Sequence, residues 1–278
     1  MQKDQLLNRR RALITGAAVL GAAGTAGVLV TSGGETPARP AVPAAGAQAR
    51  RALRPSAYRL QPLTGYGPPR TAPARTLVRR APILRVPGRG RTMVLTFDDG
   101  PDPRYTPQVL DTLAHYDVRA MFFVCGEMAV RNKDLLARMA DEGHVVGNHT
   151  WSHPLLTRLS RAQIRSQMTR TSEVIEDAHG ERPQWFRAPY GAWNRAVFQI
   201  GAELGMEPLA WTVDSRDWTT PGTRTIVGRI EKGAAPGVVV LSHDAGGDRS
   251  QSVGALRRYL PQLLDSGYHV SVPRRRLM

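Results

Sequence analysis

Met93-Val94-Leu95-Thr96-Phe97 runs straight into Asp98-Asp99-Gly100-Pro101-Asp102. An apolar run cut short by paired carboxylates and a Gly-Pro turn reads as a buried strand that delivers charge at its C-terminal end. The same texture recurs downstream. Ala120–Val124, Val145–Val146, Gln184–Phe186, Leu209–Val213, Val238–Leu241 and His269–Val272 are further short apolar runs. Between them, Ile164, Met168, Thr171, Ile175 and Ala178 recur at helical spacing. They follow Ser160-Arg161-Ala162-Gln163, a capping-box pattern, which predicts a helix from Ser160 to His179. Val253, Leu256, Leu260 and Leu264 predict a second helix over residues 250–266, bent by Pro261. Strands alternating with helices predict an α/β fold with a parallel sheet. Seven strand candidates predict a small, incomplete barrel, in which functional residues sit just after the strand C-termini.

Working outward from this region, the chain changes character before residue 91. The whole sequence carries a net charge of +15, which resembles a nucleic-acid signal. Residues 1–90, however, hold 15 Lys/Arg against 2 Asp/Glu, whereas residues 91–278 hold 23 against 21. The near-neutral balance of the second part argues against a nucleic-acid partner. Basic runs in the first part suit a cell wall polymer or a membrane surface, or simply a solvated tail. Arg9-Arg10-Arg11 precede an uncharged stretch, rich in Ala, Gly and Val, that reaches about Thr31. Residues 1–32 therefore read as a twin-arginine-like signal peptide or anchor, which predicts an exported protein. Residues 33–90 are Pro, Ala, Gly and Arg with no sustained period, and read as a linker. Residues 91–278 read as the folded domain that holds the strand and helix candidates. The single cysteine, Cys125, excludes an intrachain disulfide and lies in an apolar run, which predicts a buried inert thiol.

Five polar clusters each follow a strand candidate. The first is Asp98-Asp99, whose diverging side chains can split the tasks of metal binding and proton handling; alone, it reads equally well as a solvated turn. The second is His149-Thr150-Trp151-Ser152-His153, in which imidazoles four residues apart face one side of a helical turn. With a carboxylate these make a His₂–carboxylate set with an open position, suited to zinc, with manganese, cobalt and nickel left open. The third is Arg187-Ala188-Pro189-Tyr190-Gly191, the fourth Asp214-Ser215-Arg216-Asp217-Trp218, and the fifth Leu241-Ser242-His243-Asp244. Each of these last three, met singly, reads as an ordinary loop. It is their joint occurrence and order that carry a functional reading.

The five clusters together resemble the polysaccharide deacetylase family (carbohydrate esterase family four, the NodB homology domain), over roughly Arg91 to Val272. That resemblance implies a seven-stranded deformed barrel and a metal-dependent hydrolase that removes N-acetyl groups from N-acetylglucosamine polymers such as peptidoglycan or chitin. It implies Asp98 as general base, Asp99, His149 and His153 as ligands of one divalent metal, and Arg187 as the residue orienting Asp98. It further implies His243 as general acid, held and tuned by Asp214. Tyr190 would supply a backbone N–H to an oxyanion hole, with Trp218 and Leu241 as apolar walls around the acetyl methyl. An acetylxylan esterase shares these motifs and is the alternative enzyme. A non-catalytic wall-binding module is the alternative outside enzymes, and the intact Asp98 and His243 argue against it.

Overall fold

β1 (Thr92–Asp98) is the central strand, because its residues from Met93 onward are buried and it is paired on both edges. The computed structural model describes residues 76–273 apart from Arg89, so the signal segment and most of the linker lie outside the described residues. Among the described residues no helix is long and apolar enough to cross a membrane. After β1 come α1 (Thr106–His115), β2 (Met121–Val124), the single turn α2 (Gly126–Ala129), α3 (Lys133–Asp141), β3 (Val145–Asn148) and α4 (Arg161–His179). They are followed by β4 (Trp185–Phe186), α5 (Arg195–Glu203), β5 (Glu207–Pro208), β6 (Val213–Asp214), α6 (Thr223–Gly233), β7 (Val239–His243), α7 (Ser250–Asp265) and β8 (His269–Val270).

Seven strands form one curled path in the order β5-β4-β3-β2-β1-β7-β6, every neighbour parallel. This is the expected deformed (β/α) barrel. An eighth strand, β8, pairs with the start of β1 off this path. The expected strand over Leu209–Val213 does not form as one piece. Its ends belong to different places: Leu209 follows β5, and Val213 opens β6 after the chain has turned.

Alternation along β1 divides the core. Met93, Leu95 and Phe97 pack outward against the helices with Val109, Leu110, Phe122, Val240 and Leu256. Val94 points inward with Met121, Phe123, Trp185, Leu209 and Val239, filling the barrel. Parallel register then aligns the strand ends. Asp98 lies beside His243, and Asn148 beside Phe186, so the loops after β1, β3, β4, β6 and β7 share one rim.

The helix expected from Ser160 is α4. Its N-terminus carries the full capping box, with Gln163 N–H donating to Ser160 Oγ (3.3 Å) and Ser160 N–H donating to Gln163 Oε1 (2.9 Å). Pro261 lies inside α7. The linker boundary expected at residue 90 falls too late. Ile83 and Val86 already pack on the interior cluster, and the backbone around them bonds to the barrel. A segment held by backbone hydrogen bonds shows no side-chain period, which is why composition alone reads it as linker.

Candidate active site

Asp98 and Arg187 form the deepest pair of the rim. Arg187 is the largest fully buried side chain, and its Nη1 donates to Asp98 Oδ1 at 2.7 Å. The same nitrogen donates to Thr96 Oγ1 (2.7 Å), Nε to the Leu209 carbonyl (3.1 Å) and Nη2 to the Ala210 carbonyl (3.0 Å). The Phe123 ring lies 4.2 Å from the guanidinium carbon. A buried guanidinium with this many acceptors is fixed in one orientation, and it fixes the carboxylate in turn. Burial pushes Asp98 above the ordinary carboxylate range, against the pull of the Arg187 and His243 charges. A carboxylate restrained and destabilised as an anion is suited to accept a proton.

Beside it stand Asp99, His149 and His153. His149 Nε2 is 3.5 Å from Asp99 Oδ1 and His153 Nε2 is 3.4 Å from the same oxygen, which is buried with no hydrogen-bond partner. Donor atoms about 2.0–2.2 Å from one tetrahedral ion lie about 3.3–3.6 Å apart, so this spacing fits a shared metal. The tautomer fits too. His149 Nδ1 donates to the Arg187 carbonyl at 2.8 Å, leaving the Nε2 lone pair towards the cluster. Burial depresses this imidazole to about 3, so it is a neutral ligand. Asp98 Oδ2 lies 3.7 Å from His149 Nε2, which places the proton acceptor next to the cluster.

The two histidines do not converge through a helical turn, as their spacing suggested. Thr150 and His153 both adopt positive φ (70° and 55°), and the segment is a loop. Asn148 Oδ1 accepts from Thr150 N–H (2.8 Å), and Gln167 Oε1 accepts from Trp151 and Ser152 N–H (2.8 and 3.0 Å). Side chains of β3 and α4 thus hold a loop that its own sequence would not form.

The partner of His243 is Asp217, not Asp214. His243 Nδ1 bonds Asp217 Oδ1 at 2.7 Å, and Asp217 Oδ2 accepts the His243 backbone N–H (2.8 Å) and Ser252 Oγ–H (2.6 Å). Asp214 instead accepts the Arg216 N–H at 2.8 Å, closing a turn. Arg216 is left-handed (φ 51°), and this reversal swings Asp217 inward. Burial alone would lower His243, but Asp217, with Asp98 and Asp99, outweighs it and raises the imidazole to about 9. Burial would likewise raise Asp217, but the His243 contacts hold it below the usual carboxylate range. An imidazole raised to about 9 carries its proton at neutral pH, so the pair is suited to donate one.

Tyr190 and Trp218 are exposed at the rim, at 66% and 57%. Tyr190 has φ 61°, its hydroxyl donates to the His153 carbonyl (3.4 Å), and its ring meets His153 edge-on at 4.6 Å. Leu241 is buried and shares a face of β7 with His243, two residues on. Sequence reasoning missed Thr96, which bridges Arg187 and the Val240 carbonyl, and Asp244. Asp244 is fully buried, accepts from Thr106 Oγ1, and is raised by burial to about 7. Cys125 is buried, and burial raises its thiol well above the usual range, as expected of an inert thiol.

The polysaccharide deacetylase family profile matches residues 85–209. A peptidoglycan-N-acetylglucosamine deacetylase from Bacillus cereus is 42% identical over 185 residues, covering 66% of this chain and 86% of the relative. A chitooligosaccharide deacetylase from Bradyrhizobium is 39% identical over 192 residues, covering 65% and 88%. Among solved structures, the Bc1960 peptidoglycan N-acetylglucosamine deacetylase bound to 4-naphthalen-1-yl-N-oxidanyl-benzamide superposes with a TM-score of 0.66 at 36% identity, over 69% of this chain and 90% of that one. With the five clusters gathered on one rim and this similarity spanning the barrel, the chain belongs to the polysaccharide deacetylase family.

Proposed function

We propose that this protein hydrolyses the N-acetyl groups of N-acetylglucosamine units in peptidoglycan or a chitin-like polymer, releasing acetate. One observation carries the reading: a restrained buried carboxylate and an imidazole held protonated flank the same candidate metal cluster. A binding module needs neither. The names of the relatives support the amino-sugar substrate.

Asp98 accepts a proton from water as the water oxygen attacks the acetyl carbonyl carbon. Arg187 holds the Asp98 carboxylate through Oδ1 and balances its charge, which leaves Oδ2 towards the cluster to receive the proton. The Tyr190 backbone N–H supports the oxyanion, and Leu241 and Trp218 enclose the methyl group. His243, carrying the proton that Asp217 retains on it, protonates the nitrogen as the C–N bond breaks, giving acetate and a free amine. Asp99, His149 and His153 would hold a divalent ion, which supplies Lewis-acid polarisation of the carbonyl oxygen. Two imidazoles and one carboxylate favour zinc among the candidates. Residues 1–32 would carry the protein out of the cytoplasm, and the basic residues before the barrel would hold it near a wall or membrane surface. Acetate release from peptidoglycan, chitooligosaccharides and acetylated xylan, with and without a chelator, tests the reading. Release from the first two that a chelator abolishes supports it. Release from xylan alone would replace it with an esterase.

A further inference from the structure

The barrel path ends at β5 on one side and β6 on the other, so strand pairing does not close it. A strap that precedes β1 lies across this opening. Ile83 N–H donates to the Pro208 carbonyl and Ala210 N–H donates to the Ile83 carbonyl, both at 2.8 Å, in a parallel bridge around Leu209. Two residues later the strap reaches the residues just before β7, where Arg85 bridges Val238 and Val86 N–H donates to the Gly237 carbonyl (2.9 Å). Arg79 adds an ion pair to Glu207 of β5.

What the strap grips is the peptide segment that orients Arg187. The Leu209 and Ala210 carbonyls accept Arg187 Nε and Nη2, while the Ala210 N–H is held by Ile83. Ala210 therefore faces the strap with its N–H and Arg187 with its C=O. Arg187 in turn holds Asp98 at 2.7 Å. Leu209 and Ala210 sit just past the two-residue strand β5, an outer strand of the path; Leu209 N–H still donates to the Phe186 carbonyl of β4 (3.0 Å), whereas the Ala210 N–H is held by the strap. We propose that residues 79–86 act as a positioning strap for the proton acceptor: Ile83, supported by Arg79, sets the tilt of Arg187 through Leu209 and Ala210. This rests on the deacetylase reading above.

The test uses the full chain. Ile83→Pro removes the N–H that holds Pro208, Ile83→Val keeps both backbone bonds, and Arg79→Ala cuts only the ion pair. Misplacing a catalytic group by a fraction of an ångström costs about tenfold or more in rate. Ile83→Pro is expected to lower kcat about tenfold while KM and metal affinity stay within about twofold, and Ile83→Val to match the wild type. Because the effect runs through Arg187, it should vanish in an Arg187→Gln background. Arg79→Ala should lower kcat about threefold, and this variant decides the matter if Ile83→Pro does not fold. A second readout is independent of turnover: solvent exchange of the buried Arg187 Nε–H, followed by nitrogen NMR, should quicken about tenfold in Ile83→Pro. Unchanged kcat and unchanged exchange in both variants would overturn the proposal, as would an equal loss with and without Arg187. A wild-type chain that releases no acetate would instead overturn the deacetylase reading, and the exchange measurement would still decide the strap.

Discussion

Replacing Asp217 by Asn separates the two acids of one short motif. Asp217 holds His243 at about 9 by a 2.7 Å hydrogen bond and its charge, whereas the reference imidazole value is 6.5 and burial acts to lower it further. Asn keeps the shape: its oxygen can still accept from the His243 backbone N–H and the Ser252 hydroxyl while its NH2 donates to a neutral His243 Nδ1, so the fold should survive. The charge is lost, only Asp98 and Asp99 remain to oppose burial, and the His243 pKa should fall. The sign follows from the role. A general acid works while protonated, so activity disappears as pH rises through its pKa, near 9 in the wild type and lower in the variant. At pH 8 an acid of pKa about 9 is about nine-tenths protonated, and a fall to the reference value of 6.5 would leave about 3%, a loss of about thirtyfold. At pH 5.5 the variant should approach wild-type turnover more closely. The measurement is kcat for acetate release from a chitooligosaccharide between pH 5 and 10, with metal content checked throughout. Asp214→Asn is the internal comparison: its side chain only caps the Arg216 N–H, a role Asn fills, so its basic limb should stay near that of the wild type. A basic limb that moves in Asp214→Asn and stays in Asp217→Asn would refute the pairing and the assignment of the acid.

The two adjacent carboxylates should part company in the same assay. Asp98→Asn should keep its metal by elemental analysis yet lose about 10²–10⁴-fold in kcat. Asp99→Ala should lose metal affinity, with turnover partly restored by excess metal. Arg187→Ala strands a fully buried Asp98 without its counter-charge and should destabilise the fold by about 3–5 kcal/mol in urea unfolding, besides lowering turnover. Ser160→Ala removes the α4 cap far from the proton chemistry, and should cost about 1 kcal/mol of stability with kcat unchanged.

Much of this was legible because the chemistry rides on strand ends. Apolar runs such as Met93–Phe97 mark buried strands, and in a parallel barrel a polar cluster after each run is already on the right rim. The α4 boundaries were equally plain, since Ser160 and Gln163 satisfy each other locally and Gly180 accepts φ 88° at the far end. What was hidden depended on left-handed backbone at residues other than glycine. Which of Asp214 and Asp217 reaches His243 is decided by φ 51° at Arg216, and the meeting of His149 with His153 by φ values at Thr150 and His153. No local preference announces these, because arginine, threonine and histidine rarely adopt them. The strap at residues 79–86 escaped for another reason: its contacts are made by backbone, which every sequence carries.

Those left-handed residues also say what the architecture supports. Asp99, Thr150, His153, Tyr190, Arg216 and Thr220 are six of the seven such residues among those described, and all lie in rim loops. At about 1 kcal/mol each, the low end for such conformations, their combined cost rivals the net stability of a typical domain. The loops could not persist by themselves. Those around Thr150 and His153 are held by side chains from regular elements, with Asn148 of β3 accepting from Thr150 and Gln167 of α4 accepting from Trp151 and Ser152. Asn148 is itself anchored by donating to the Met168 carbonyl (2.7 Å) and Ser172 Oγ (3.0 Å) of α4. Helix α4 therefore does more than cover the sheet. Its inward face is the scaffold on which two histidines are held within reach of one ion, while the opposite side of the rim depends on α7, whose Ser252 braces Asp217. The candidate metal cluster and the His243–Asp217 pair are thus stabilised by different helices, so damage to one need not disturb the other.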